Sequence, residues 1–197
     1  GSIPDIEDAV TKIRQGQAVL FFVGCALEFD PNATAMAKAT ASLLDKAGVD
    51  WGVLNEEEVC CGFPVYELGC EDEFARLAKK NIEKINSLGV QTIVTSCAGC
   101  QMVMKRDWAR YGKLNARVMH ITEFALQLLK EGKLKIKKDF RKKVAYHDPC
   151  TLGRYCNVYD EPREILKMIP GVELVTMERE REEAWCCGAG GGQVLAN

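Results

Sequence analysis

Short apolar runs alternate along the chain with longer segments whose apolar positions recur every three to four residues. Ala18-Val-Leu-Phe-Phe-Val-Gly-Cys25 is continuous and rich in β-branched and aromatic side chains, so residues 18–24 read as a buried strand. Ala33, Met36, Ala37, Thr40, Leu43 and Leu44 define one face of a helix over residues 32–47, closed by Gly48. A second strand follows at 49–54, an amphipathic helix at 71–88 ending on Gly89, and a third strand at 90–95. A helix over 101–111, a short strand at 117–120 and a helix over 122–129 complete one unit. Residues 130–143 are basic and poor in apolar positions, the pattern of a connection. The alternation then restarts with a strand at 143–147, a helix at 162–168 and a strand at 171–177. Strands alternating with helices imply an α/β chain with parallel sheets.

Composition narrows the class. The chain has 197 residues, 47% of them hydrophobic and 27% charged, which suits a folded domain with a real core. A formal net charge of −2 points away from nucleic acid and from an anionic membrane surface. The apolar runs are too short to span a bilayer, and no signal peptide is visible. The opening Gly1-Ser2 reads as an expression scar, so the chain is expected to be a fragment.

Ten cysteines are the compositional outlier, at 25, 60, 61, 70, 97, 100, 150, 156, 186 and 187. In a core-forming chain without a secretory signal they indicate metal binding or redox chemistry rather than a disulfide framework. They also repeat. Cys25 and Cys150 each follow an apolar strand, and Val59-Cys-Cys-Gly62 answers Trp185-Cys-Cys-Gly188 at a nearly constant offset. This register argues for duplication: two Rossmann-like units, residues 1–135 and 136–197, the second cut short. Cys70 and Cys156 have no counterpart and read as ordinary thiols.

Cys97-Ala-Gly-Cys100 lies between a strand and a helix, where two thiols can converge on one metal or close a redox disulfide. The helix start favours thiolates, and Ala98 and Gly99 allow close backbone approach to a bound centre. Adjacent cysteines in extended chain point to opposite sides, so Cys60-Cys61 rarely chelates one ion. A thioredoxin-like dithiol leaves Cys25, Cys60 and Cys61 without a role, and one tetrahedral zinc leaves a thiol over. Five thiols from three loops therefore suit a polynuclear iron–sulfur centre best. Zinc stays open as the alternative, above all at Cys150, Cys186 and Cys187, where water or His147 would complete the set.

Val23-Gly-Cys25, Cys60-Cys-Gly62, Ser96-Cys-Ala-Gly-Cys100, Tyr146-His-Asp-Pro-Cys150 and Cys186-Cys-Gly-Ala-Gly-Gly191 together resemble the CCG-motif cysteine-rich family. That family includes heterodisulfide reductase subunits and the iron–sulfur subunits of anaerobic glycerol-3-phosphate, glycolate and lactate oxidation systems. The resemblance implies that Cys25, Cys60, Cys61, Cys97 and Cys100 hold one [4Fe-4S]-type centre, of the noncubane kind found in heterodisulfide reductases. It implies an iron–sulfur oxidoreductase that reduces a disulfide or relays electrons between flavin and quinone-linked partners. Expected partners are a ferredoxin-like module or subunit, a flavin subunit and a membrane cytochrome subunit, placing the chain in the cytoplasm and at the membrane only through a partner. The family pattern puts a second CxxC near 223 and 226, beyond the last residue, so the partial site Cys150, Cys186 and Cys187 is expected to hold no intact cluster.

The remaining polar residues receive plainer readings. His120 is structural, His147 bonds its own loop, and Asp148-Pro149 turns the chain to present Cys150. Arg154 either neutralises an anionic group or makes a surface ion pair. The glycine run 188–192 lacks the spacing of a nucleotide loop. Residues 178–183 form a solvated loop. A sheet left without its last strand exposes an edge, so a homodimer is expected.

Overall fold

The computed structural model describes Ile3, residues 10–188 and Gly190. Strand β1 (Val19–Phe22) is buried on both faces and is the second strand of a four-stranded parallel sheet. Its neighbours are β2 (Trp51–Gly52) and β3 (Thr92–Thr95), with β4 (Arg117–His120) beyond β3, giving the order β2-β1-β3-β4. The chain steps outward from β1 to β2, then returns across β1 to β3 and β4. Connections therefore leave β1 and β3 in opposite directions and open a crevice at their carboxyl ends, where ligands gather in such sheets. The register Phe22↔Thr95 sets those ends side by side.

Alternation along β1 supplies two cores. Leu20 and Phe22 join Ile93, Phe74, Ile82, Ile85, Met102 and Trp108 on one face. Val19 and Phe21 join Val94, Ala37, Leu44, Phe124 and Leu128 on the other. The helices in chain order are α1 (Cys25–Phe29), α2 (Pro31–Lys46), α3 (Phe63–Glu67), α4 (Glu71–Leu88), α5 (Ala98–Met102), α6 (Ile121–Lys130) and α7 (Asp160–Met168). Helices α4 and α5 cover the first face of the sheet; α2 and α6 cover the second. No helix among the described residues is long and apolar enough to cross a membrane.

Most expected elements are present, with informative differences. Helix α4 has the expected bounds, with Glu71, Asp72 and Glu73 in its first turn and left-handed Gly89 at its end. The strand expected over 49–54 contracts to Trp51–Gly52, because Val53 leaves β1 and bridges to Lys12. The helix expected from Gln101 starts at Ala98, so Cys100 lies inside its first turn. It widens into a π turn over Val103–Asp107 and closes as a 3-10 turn at Trp108–Arg110. Helices α1 and α3 and a π turn at Thr151–Tyr155 have no counterpart in the sequence reading. Five residues carry too little periodicity to announce a helix.

Strands β5 (Lys142–Ala145) and β6 (Val172–Val175) form a separate parallel pair joined through α7. Helix α7 packs on α6, and Lys130 pairs with Glu164 across them at 2.7 Å. A buried ion pair organises this unit. The Arg163 guanidinium donates to both oxygens of Asp148, at 2.6 and 2.7 Å, and to the Tyr159 carbonyl at 2.9 Å. The Arg181 amide also donates to Asp148 at 2.7 Å. Burial alone would push the Asp148 carboxyl up, yet Arg163 and the Arg181 amide hold it below its ordinary value. Asp148 thus ties three segments together, beyond the turn role read from the sequence. Replacing Asp148 by Ala strands the Arg163 charge in the interior, and should cost about 3 kcal/mol or more of stability in denaturant unfolding. An unchanged midpoint would show that the pair is not what holds this unit.

Candidate metal centre

Cys25 begins α1 directly after Val23 and Gly24, which continue from β1. Gly24 has φ 80°, and a Cβ there would lie 3.1 Å from the Cys100 sulfur. The left-handed backbone therefore strains any side chain here, and the space beside the sulfur is tight. Glu58 reaches back across this turn. Its carboxylate accepts the Val23 amide at 3.1 Å and the Gly24 amide at 2.7 Å. Burial pushes the Glu58 carboxyl up to about 7, the two amides opposing it.

The Cys60-Cys61 loop is held from both sides. Asn81 of α4 donates to the Cys60 carbonyl at 3.0 Å, and the Trp108 indole donates to the Cys61 carbonyl at 3.0 Å. Gly62, at φ 91°, turns the chain so that its amide donates to the Cys60 sulfur at 3.4 Å. The Phe74 ring would lie 2.6 Å from any Cβ at Gly62. This turn answers the difficulty of adjacent cysteines: it keeps both thiols on the same side of the sheet's end.

Cys97 caps α5, with its own amide bonded to the Thr95 hydroxyl at 3.2 Å. The amides of Gly99 and Cys100 favour the charged form of Cys97, as expected for the start of a helix. Gly99 has a use beside the one expected. The Phe63 ring occupies the space beside it, 2.6 Å from a Cβ there, so the small residue admits an aromatic cover. Behind Cys97, Ser96 bonds Thr40 at 2.8 Å, and the His120 ring donates to the Ser96 carbonyl at 3.2 Å. His120 also caps α6, and burial lowers its pKa; it is structural, as expected.

The five thiols gather in one cluster. Cys61 lies 3.2 Å from Cys100, and Cys60 acts on Cys25 and on Cys61, while Cys97 is acted on by Cys100 and by Cys25. Cys61 and Cys100 are buried, while Cys25, Cys60 and Cys97 are half-buried, so the cluster has a closed side and an open side. Hydrogen bonding among the sulfurs separates their pKa values, with Cys25, Cys60 and Cys100 raised and Cys61 and Cys97 lowered. Cys100 and Cys60 donate to Cys61 and bring it down to about 6, and Cys100 brings Cys97 down to about 7. Cys100 is pushed up by Cys61 and Cys97, and Cys25 is pushed up by Cys60. Among the described residues no group of three or more His, Cys, Asp or Glu side chains is arranged around a single ion. All ten cysteines are free thiols.

The second set is sparser. Cys150 and Cys186 lie 3.8 Å apart, and the Gly188 amide donates to the Cys186 sulfur at 3.4 Å. That last contact repeats the Gly62–Cys60 bond, so the duplication read in the sequence extends to its turn. Cys186 and Cys187 are exposed, and no partner to Cys187 other than Cys186 is seen among the described residues. His147 bonds the Trp185 carbonyl at 2.9 Å and approaches no thiol among the described residues. Arg154 donates to the carbonyls of Glu182 and Ala184, so it fastens this segment, and its charge also favours the thiolate form of Cys186, in line with the first of the two expected roles. Gly191 and Gly192 of the glycine run lie outside the described residues. Cys70 is exposed at the start of α4, and Cys156 packs half-buried against the first core, where burial pushes its pKa up to about 11. Glu58, Asn81, Trp108 and Phe63 were not singled out from the sequence. Only their nearness to the cysteine pairs, for Glu58 and Phe63, could have drawn attention.

Comparison with known proteins agrees with this architecture. The sequence pattern of the CCG cysteine-rich domain matches residues 19–105 and 144–197. A component of the dihydromethanophenazine:CoB–CoM heterodisulfide reductase of Methanosarcina mazei is 42% identical over 92% of the chain and 45% of its own length. The EtfAB:quinone oxidoreductase of Syntrophomonas wolfei is 40% identical over 89% of the chain and 24% of its own length. A probable iron–sulfur-binding oxidoreductase of Bacillus subtilis is 42% identical over 88% of the chain and 24% of its own length. The chain spans less than half the length of these relatives. Its matched motifs are those that bring the thiols together, and the chain belongs to the CCG cysteine-rich domain family.

Proposed function

We propose that Cys25, Cys60, Cys61, Cys97 and Cys100 hold one iron–sulfur centre of the four-iron type, and that the chain is the redox domain of an iron–sulfur oxidoreductase. The observation that carries this reading is the gathering of five thiols at the switch point of the sheet, with Cys61 and Cys100 3.2 Å apart. Five convergent thiols suit several metal atoms bridged by sulfide better than they suit one tetrahedral ion. The donor set fits: every candidate ligand is sulfur, and the Gly62 amide donates to the Cys60 sulfur. Similarity to proteins named as heterodisulfide reductase and iron–sulfur-binding oxidoreductase supports the same reading.

When bound, such a centre supplies one-electron transfer. The protein's own contribution is burial and access. Cys61 and Cys100 face the core, Phe63 covers Gly99, and the half-buried edge of Cys25, Cys60 and Cys97 is the approach for a reactant. We assign disulfide reduction to this edge: one disulfide, two electrons and two protons give two thiols. The electrons come from a partner that carries ferredoxin-type clusters. Relay between a flavin protein and a quinone-linked partner, suggested by the second relative, is the other use of the same module. Cys150, Cys186 and Cys187 are assigned a second, incomplete site.

Anaerobic reconstitution of the chain should bind roughly four iron and four acid-labile sulfide. Zinc bound without iron or sulfide would overturn the redox reading in favour of a structural metal module. Single replacement of Cys61 or Cys100 by Ser should remove most of the bound iron and its visible absorption. Replacement of Cys70, Cys156 or Cys186 should leave the iron of the first centre in place. Equal loss from Cys70→Ser and Cys61→Ser would contradict the assignment.

A further inference from the structure

Glu56, Glu57 and Glu58 are consecutive, yet they do different things. Glu56 and Glu57 pair with Lys12 at 2.9 and 3.4 Å, and Glu57 with Lys84 at 2.7 Å. Glu58 turns inward instead. It is the residue that ends the 3-10 turn Asn55–Glu57, with its amide bonded to the Asn55 carbonyl at 3.0 Å. Its backbone is therefore fixed two residues before Cys60.

Strand β2 pairs with β1 only at Trp51 and Gly52, opposite Val19 and Leu20. Beyond that point β1 continues without β2 beside it, into Val23 and Gly24. The Glu58 carboxylate supplies acceptors to these two amides, at 3.1 and 2.7 Å. Buried amides must find acceptors, and a buried carboxylate must find donors, so the three groups settle one another. The bonded amides belong to the two residues that immediately precede Cys25. One side chain thereby joins the loop of Cys25 to the loop of Cys60.

We propose that Glu58 is a positioning residue of the first centre: it clamps the Val23–Gly24 turn and so fixes Cys25 against Cys60. This rests on the reading that these cysteines hold a cluster. Releasing the clamp frees two amides beside the sulfur ligands and lets Cys25 shift relative to Cys60. Hydrogen bonds and geometry around ligand sulfurs tune such a centre, so the change reaches the metal. A glutamine at position 58 keeps one carbonyl acceptor and turns an amide toward the second N–H, so it restores half of the clamp.

The test uses the full 197-residue chain with Glu58→Ala and Glu58→Gln. In the metal-free protein, Val23 and Gly24 amides should exchange about tenfold faster in Glu58→Ala, with Leu20 and Ile93 unchanged. In iron-loaded protein, Glu58→Ala should show a shifted paramagnetic resonance spectrum, a displaced midpoint potential and about tenfold faster iron loss to a chelator. Glu58→Gln should fall between Ala and the native chain in both measurements, and it alone decides the matter if the Ala chain does not fold. Native exchange rates in the variants would overturn the clamp. Faster exchange with an unchanged spectrum and potential would reduce Glu58 to a loop support and overturn the positioning role. A native chain that takes up no iron would overturn the cluster reading and the positioning role with it, while the exchange rates would still report the clamp by itself.

Discussion

Strands β1 and β3 lie side by side and in register, and the chain leaves them in opposite directions. That adjacency forces the residues just past both strands into one crevice. Cys25 follows β1 by two intervening residues, and Cys97 follows β3 by one. Neither needs an elaborate loop to reach the other. Cys60 and Cys61 are carried to the same place by the loop that leaves β2, and Cys100 by the first turn of α5, so the sheet order determines which cysteines can meet.

Adjacency of strands does not by itself aim sulfur atoms. That task falls to a few tight contacts with the first core. Phe74 of α4, fully buried, leaves no room for a side chain at Gly62, and Trp108 and Asn81 hold the carbonyls of Cys61 and Cys60. The π turn at Val103–Asp107 precedes the turn that carries Trp108. Here folding and site are the same structure: the indole that fills the core also bonds the cysteine loop. Such coupling explains why five thiols, which cost little to bury singly, are held in a fixed cluster rather than scattered through the interior.

The α/β plan with parallel sheets was legible in the sequence because it rests on periodicity. Helix α4 and strands β1, β3 and β4 follow from apolar spacing and terminal glycines. Strand β2 is shorter than its apolar run because such a run does not say which neighbour it will pair with. Helices α1 and α3 were illegible because a single turn leaves no period. The thiol cluster was foreseen as a set, from spacing. Its supports were not: Glu58 is one of three consecutive glutamates, and only the fold separates the inward one from its solvent-paired neighbours. The fastening role of Arg154 was hidden because a backbone carbonyl acceptor leaves no trace in a sequence.

The central claim is that the switch point presents a sulfur-only cluster suited to several bridged metal atoms. X-ray absorption at the iron edge of the anaerobically reconstituted chain addresses it directly. The account predicts iron surrounded wholly by sulfur, with iron–iron scattering from a bridged cluster. Isolated iron with nitrogen or oxygen neighbours, and no iron–iron scattering, would contradict it.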